Sequence, residues 1–116
     1  MTQSTTSYTR GEVVLVEFTF TDESGAKIRP AIVVSSNRYN RARREVIIAA
    51  VTSNMGRRLF GDRPIARWRE AGLAFPSMAT SILRTVAPAM ILHRLGTLQA
   101  VDATGLQITL RQSLGL

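Results

Sequence analysis

The sequence predicts a small, mainly β domain finished by one C-terminal helix, folded as a partly open barrel. Three observations predict it. Short apolar runs rich in β-branched residues recur between Val13 and Val86, separated by polar turns that carry Gly or Pro. Helical spacing of apolar residues appears only from Asp102 onward. With 116 residues, 45% of them apolar, the chain is long enough for one compact core and too short for two.

The elements follow in order. Residues 1–9 are rich in Ser and Thr and are expected to form a flexible tail, leaving 10–116 as a single domain. They lack the basic cluster and apolar centre of a signal peptide. Val13 to Phe20 reads as the first strand: Val14, Val16, Phe18 and Phe20 share one face, and Glu17 and Thr19 open the other to solvent. After the polar turn Thr21-Asp22-Glu23-Ser24-Gly25-Ala26, Lys27–Ser35 and Glu45–Val51 are near-continuous apolar runs of the length of buried strands. Between them, Asn37 to Arg44 reads as a basic loop, and Asn54 to Pro64 as a second loop carrying Gly56, Arg57, Arg58, Gly61 and Asp62. Ile65–Trp68 is expected as a short strand, Ala71-Gly72-Leu73 as a turn, and Ser77–Thr80 and Ile82–Val86 as two further short strands. At the end, Asp102 is the expected N-cap of a helix whose Ala103, Leu106, Leu110 and Leu114 fall on one face. Gly105 is expected to weaken that helix by up to about 1 kcal/mol relative to Ala. There is no internal repeat and no linker.

Charge and composition narrow the function. Fifteen Lys+Arg against eight Asp+Glu leave a formal charge of +7, and all the bases but Lys27 are Arg. Arg grips phosphate bidentately and stacks on flat rings, which fits a nucleic acid or an acidic peptide. A general preference for Arg over Lys across a genome fits the same composition. The absence of cysteine excludes disulfides, thiol catalysis and thiolate metal sites. No run reaches the roughly 18 apolar residues of a membrane span, so a soluble cytoplasmic protein without a membrane partner is expected.

Lys27-Ile28-Arg29-Pro30 is the most informative stretch. Pro30 locks its own φ and biases Arg29 toward an extended conformation, so a guanidinium is aimed from the mouth of an apolar strand. A planar fork of five donors that keeps its charge suits a phosphate. Its structural alternative is an ion pair with Asp22 or Glu23 across the turn. Thr52 and Ser53 put two hydroxyls at the end of another strand, where a β-branched residue followed by a Ser-Asn turn is also ordinary. Arg38, Arg41, Arg43 and Arg44, with Arg57 and Arg58, are candidates for holding a phosphate backbone. Tyr39 and Trp68 are candidate stacking rings, Trp68 fitting better as a core residue. His93, the sole histidine, reads as a residue packed beside the terminal helix rather than as a base. No Asp/Glu/His group has metal spacing and no Gly-rich phosphate loop is present.

Several of these elements together resemble the PemK/MazF family of toxin endoribonucleases. They are Arg10-Gly11-Glu12-Val13, Lys27-Ile28-Arg29-Pro30 with Ala31–Ser35, Val51-Thr52-Ser53, Leu73 with Pro76-Ser77, and Leu95-Gly96-Thr97-Leu98 before a terminal helix. The resemblance implies the SH3-like, partly open barrel of the CcdB/MazF/PemK kind, usually a homodimer. It implies a cofactor-free, metal-independent endoribonuclease toxin of a type II toxin–antitoxin pair, cutting single-stranded RNA sequence-selectively and held by a small acidic antitoxin. Arg29 and Thr52 are then the implied catalytic residues, and Lys27, Phe20, Ser53, Ser77 and Arg57 the implied RNA contacts. Some members carry a His or carboxylate near the end of the first strand, an acid before an Arg-Thr pair and an Asp after it. Here Phe20-Thr21, Ser81 and Ala87 stand at those places. Two other readings compete: a CcdB-like gyrase poison, a class without the Lys-x-Arg-Pro and Thr-Ser pair, and an inactive RNA-binding homologue.

Overall fold

Strand β1 (Glu12–Thr19) and β2 (Ala26–Val33) pair antiparallel, Val13 opposite Ile32 and Val16 opposite Arg29. The computed structural model describes residues 7–19 and 26–116. Four more strands complete one antiparallel sheet: β3 (Val46–Thr52), β4 (Arg63–Pro64), β5 (Met78–Val86) and β6 (Ile91–Thr97), in the order β4-β5-β3-β2-β1-β6. Helix α1 (Asn37–Arg43) links β2 to β3, and α2 (Ala100–Leu114) ends the chain. No helix among the described residues is long and apolar enough to cross a membrane.

The sheet is buried on both faces because it curls. Val14, Val16 and Phe18 join Ala31, Val33, Val46, Ile48 and Val86 in one core cluster. Val13, on the opposite face of β1, joins Ile32, Val51, Leu73 and Leu106 in a second, beneath α2. The face expected to open to solvent is thus mixed: Val13 is buried, Leu15 half-buried and Glu17 exposed.

The sheet's two edges, β4 and β6, do not pair, which makes the barrel partly open. The turn at 66–72 fills part of the gap, and it does so backbone against backbone. A Cβ on Gly72 would meet the Leu95 carbonyl oxygen at 2.1 Å, and one on Gly96 would meet the Ala71 oxygen at 2.4 Å. Gly72 also has φ +89, so it is required twice over.

Several elements differ from the sequence expectation. Asn37–Arg43 is a helix, not a loop: Ser36 caps it, its Oγ accepting from the Tyr39 N–H at 3.1 Å. Its one buried side chain is Asn40, whose Nδ2 donates to the Tyr8 carbonyl at 2.9 Å and whose Oδ1 accepts from the Ser35 hydroxyl. A helix anchored by an amide shows no apolar stripe in sequence. Ser7, Tyr8 and Thr9, inside the stretch expected as a tail, are held as well: Tyr8 packs on the first cluster and Arg94 donates to the Ser7 carbonyl at 2.6 Å. The rest of that stretch, 1–6, lies outside the described residues.

Met78–Thr80 and Ile82–Val86 belong to one strand, β5, and the break between them is a bulge in β5 itself, where Thr80, Ser81 and Ile82 stand opposite Ala50 alone. The β3–β5 register shifts between Ala49 and Val51, and the Thr80 hydroxyl bridges it, donating to the Ala50 carbonyl at 2.8 Å and accepting from the Ile82 N–H at 3.1 Å. Ile91–Thr97, to which the sequence reading assigns no strand, is β6.

Ile65–Trp68 is not a strand either. The N–H groups of Ala66 and Arg67 both donate to the Asp102 carboxylate, at 2.8 Å each, and this bends the segment into a turn. Asp102 is therefore not the N-cap. The helix starts earlier, with Gln99 at the cap position, and Asp102 is buried in its first turn, clamping another segment. Gly105 has a packing reason too, since a Cβ there would lie 2.1 Å from Arg63 Nε. Replacing Asp102 with Ala should leave two N–H groups without their charged acceptor. The expected loss is about 3 kcal/mol, read as a lower midpoint in urea unfolding at unchanged m.

Candidate active site

The groove of interest, about 700 Å³, opens where β1, β2, β3 and β5 meet the segment 72–77. Register explains how distant residues reach it. Ala31 of β2 lies opposite Ala50 of β3, the last pair of that ladder, and Arg29 and Thr52 each stand two residues beyond it on their own strand. Both line the groove. A groove that both side chains line lets the two act on one phosphate.

Arg29 is exposed and, among the described residues, makes no ion pair or hydrogen bond. Asp22 and Glu23, its alternative partners, lie outside the described residues. Thr52 is half-buried, and its Oγ1 accepts the Asn54 N–H at 3.1 Å while Asn54 Oδ1 accepts the Gly56 N–H at 3.3 Å. The turn expected after β3 is present, then, and it uses only a lone pair of Thr52. The hydroxyl proton stays available to donate into the groove.

The other candidates divide. Ser53 and Ser77 line the groove. Ser77 is buried and its Oγ donates to the Phe75 carbonyl at 2.8 Å, so its proton is committed. Lys27 is exposed on the same face of β2 as Arg29 but lies beyond the lining, as does Arg57 in the loop after β3. Phe20 lies outside the described residues. The α1 arginines do not line the groove, and Trp68 packs half-buried on the core with the Arg69 guanidinium 4.8 Å from its ring centre. His93 is exposed on β6, opposite Leu15 and outside the lining. No group of three His, Cys, Asp or Glu side chains gathers among the described residues.

Sequence reasoning missed three lining residues. Arg84 enters from β5, its guanidinium 5.6 Å from the centre of the Phe18 ring, giving the groove a second cation. Phe75 and Ile82 are large apolar side chains about two-thirds exposed at its rim. The alternation of Ile82 and Arg84 along one strand was the available signal for two of them. Ser81, three residues before Arg84, lies outside the lining. Its Oγ donates to the Gly61 carbonyl at 3.0 Å and meets Ser113 Oγ at 2.8 Å, tying a loop to α2.

Residues 9–114 match the family model described as PemK-like, MazF-like toxin of type II toxin–antitoxin system. The chain belongs to this family. No curated protein matches it by sequence. Among solved structures, an endoribonuclease from a mycobacterial species superposes with TM-score 0.76 at 18% identity, covering 96% of this chain and 94% of that one. MazF from Deinococcus radiodurans gives TM-score 0.76 at 18% identity, over 96% and 99%. A mycobacterial endoribonuclease in complex with its cognate antitoxin gives 0.73 at 18%, over 95% of each chain. At such identities the likeness shows a shared fold. The PemK/MazF architecture, an open antiparallel barrel with a C-terminal helix, is the one seen here.

Proposed function

We propose that this PemK/MazF toxin cleaves single-stranded RNA by metal-independent attack of the substrate's own 2′-hydroxyl. The observation that carries the reading is that Arg29 and Thr52, from adjacent strands, line one groove. The attacking 2′-oxygen bonds to phosphorus and the 5′-oxygen leaves, giving a 2′,3′-cyclic phosphate and a 5′-hydroxyl. Negative charge gathers on the non-bridging oxygens, and the Arg29 fork is placed to meet it. Thr52 donates its hydroxyl proton to a phosphate oxygen. Arg29 serves as the cation and not as the base, since arginine keeps its proton. The described lining holds no carboxylate or imidazole, so water at the open mouth exchanges the two protons. Ser53 contacts the backbone, and exposed Phe75 offers a ring on which a base can stack.

The partner in this reading is an acidic antitoxin segment that covers the basic groove, supported by fold neighbours whose structures hold an antitoxin. A homodimer formed over the exposed apolar side chains Ile108, Leu114 and Leu116, acting in the cytoplasm, completes it.

Incubation with bulk RNA in EDTA should give cuts with 5′-hydroxyl ends, and a deoxy sugar at the mapped scissile position should block cleavage without abolishing binding. Activity lost in EDTA and restored by magnesium would overturn the metal-free mechanism. Intact RNA, with plasmid linearised in the presence of gyrase and ATP, would favour the gyrase reading instead.

A further inference from the structure

Helix α1 presents three arginines that nothing in the catalytic groove uses. Arg38 and Arg41 are exposed at i and i+3, neighbours on the helix surface, and Arg44 is exposed at the cap just beyond its last turn. Among the described residues none of them has an ion pair. The one acid beside them, Glu45, is engaged by Arg43 at 2.9 Å and by the Tyr39 hydroxyl at 3.5 Å. Two of the three stand where arginine is locally unfavourable. Arg38 is a cation in the first turn of a helix that carries no acid there. Arg44 is the one non-glycine residue with positive φ among the described residues, at φ 54, in a left-handed cap position that favours Gly or Asn. Like charges three residues apart add repulsion. A fold gains nothing from this arrangement, but a polyanion does.

The location is also separate. Helix α1 joins the Val33 end of β2 to the Val46 end of β3, whereas Thr52 lies at the other end of β3, about 20 Å away along the strand. We infer that the Arg38–Arg41–Arg44 face of α1 is a second RNA-backbone site, anchoring the substrate strand remote from where it is cut. RNA fits better than an acidic peptide. Each of the three guanidinium groups can fork onto a phosphate, and none of them lines the grooves of the described residues that could take a peptide side chain. Repeating phosphates need only charge at a matching interval. The inference rests on RNA being the substrate of the groove. Its consequence is that long RNA is held more tightly than the groove alone allows, without any added sequence preference.

The test measures binding of 2′-O-methyl RNA, which lacks the free nucleophile, at two lengths: about six nucleotides, and about forty, several times a usual single-strand site. The variant R38Q/R41Q/R44N removes the charges and relieves the two unfavourable positions, so its melting temperature should hold or rise. For the long RNA it should weaken binding at least tenfold near 0.1 M salt and lower the salt slope by about 2, as loss of three phosphate contacts requires. Binding of the short RNA, and cleavage of an unmodified RNA of the same length, should not change. R38K/R41K/R44K should keep the slope, which separates charge from helix integrity. An unchanged slope in R38Q/R41Q/R44N, or equal losses for long and short RNA, overturns the inference. So does a loss confined to binding of an acidic peptide. If the wild type binds the long RNA through this face yet cleaves no unmodified RNA, the cleavage proposal fails while this site stands.

Discussion

Arg29→Ala is expected to lower RNA cleavage by about 10³-fold or more while leaving the melting temperature nearly unchanged. The kinetic loss follows from removing a preorganised donor from the oxygens that gain charge in the transition state. Stability should hold because Arg29 is exposed and makes no hydrogen bond or ion pair among the described residues, and such surface changes stay within about 0.5 kcal/mol. Arg29→Lys should recover little, since a point charge cannot reproduce two parallel N–H donors. Single-turnover cleavage of a defined RNA, with thermal melting of the same preparation, checks both halves. A variant that melts many degrees lower would instead assign Arg29 to a structural pair with Asp22 or Glu23.

Gly96→Ala should give a large stability loss. The new Cβ would collide with the Ala71 carbonyl at 2.4 Å, and the obstacle is backbone rather than a side chain that can rotate away. Overpacking of this kind costs about 3 kcal/mol, a fall in melting temperature of about 10–20 °C for a domain of this size. Cleavage should fall too, because the contact holds Gly72 and Leu73 against Leu95, and all three line the groove. Gly56→Ala is the control. Its nearest neighbour would be Asn54 Oδ1 at 3.6 Å and its φ is not positive, so it should be near neutral. Equal effects from the two substitutions would show that the contact between the turn and β6 is not what closes the barrel.

Much of the strand framework was legible because apolar runs of the right length have few alternatives. β1, β2 and β3 fall close to where alternation and β-branching place them, and α2 carries the helical spacing of Leu106 and Leu110. The misreadings share a cause. Asn37–Arg43, Ile65–Trp68 and Ile91–Thr97 take their conformation from partners far along the chain: Tyr8, Asp102 and β1 respectively. Local propensity carries no record of those partners. Asp102 shows it most clearly, since an aspartate three residues into a helix looks like a cap until the two N–H groups it accepts turn out to belong to Ala66 and Arg67.

By itself the sequence determined the family pattern, the class of fold, and the pair Arg29 and Thr52 as the residues to watch. Those depend on order along the chain and on residue chemistry, both of which are written in it. Only the tertiary structure decided that the two line one groove, that Arg84 joins them, and that Ser81 turns away to tie a loop to α2. It also separated the α1 arginines from that groove, although in the sequence they lie closer to Arg29 than Thr52 does. The reason is strand register: antiparallel pairing folds distant residues onto one level and sends near neighbours to opposite ends of a strand.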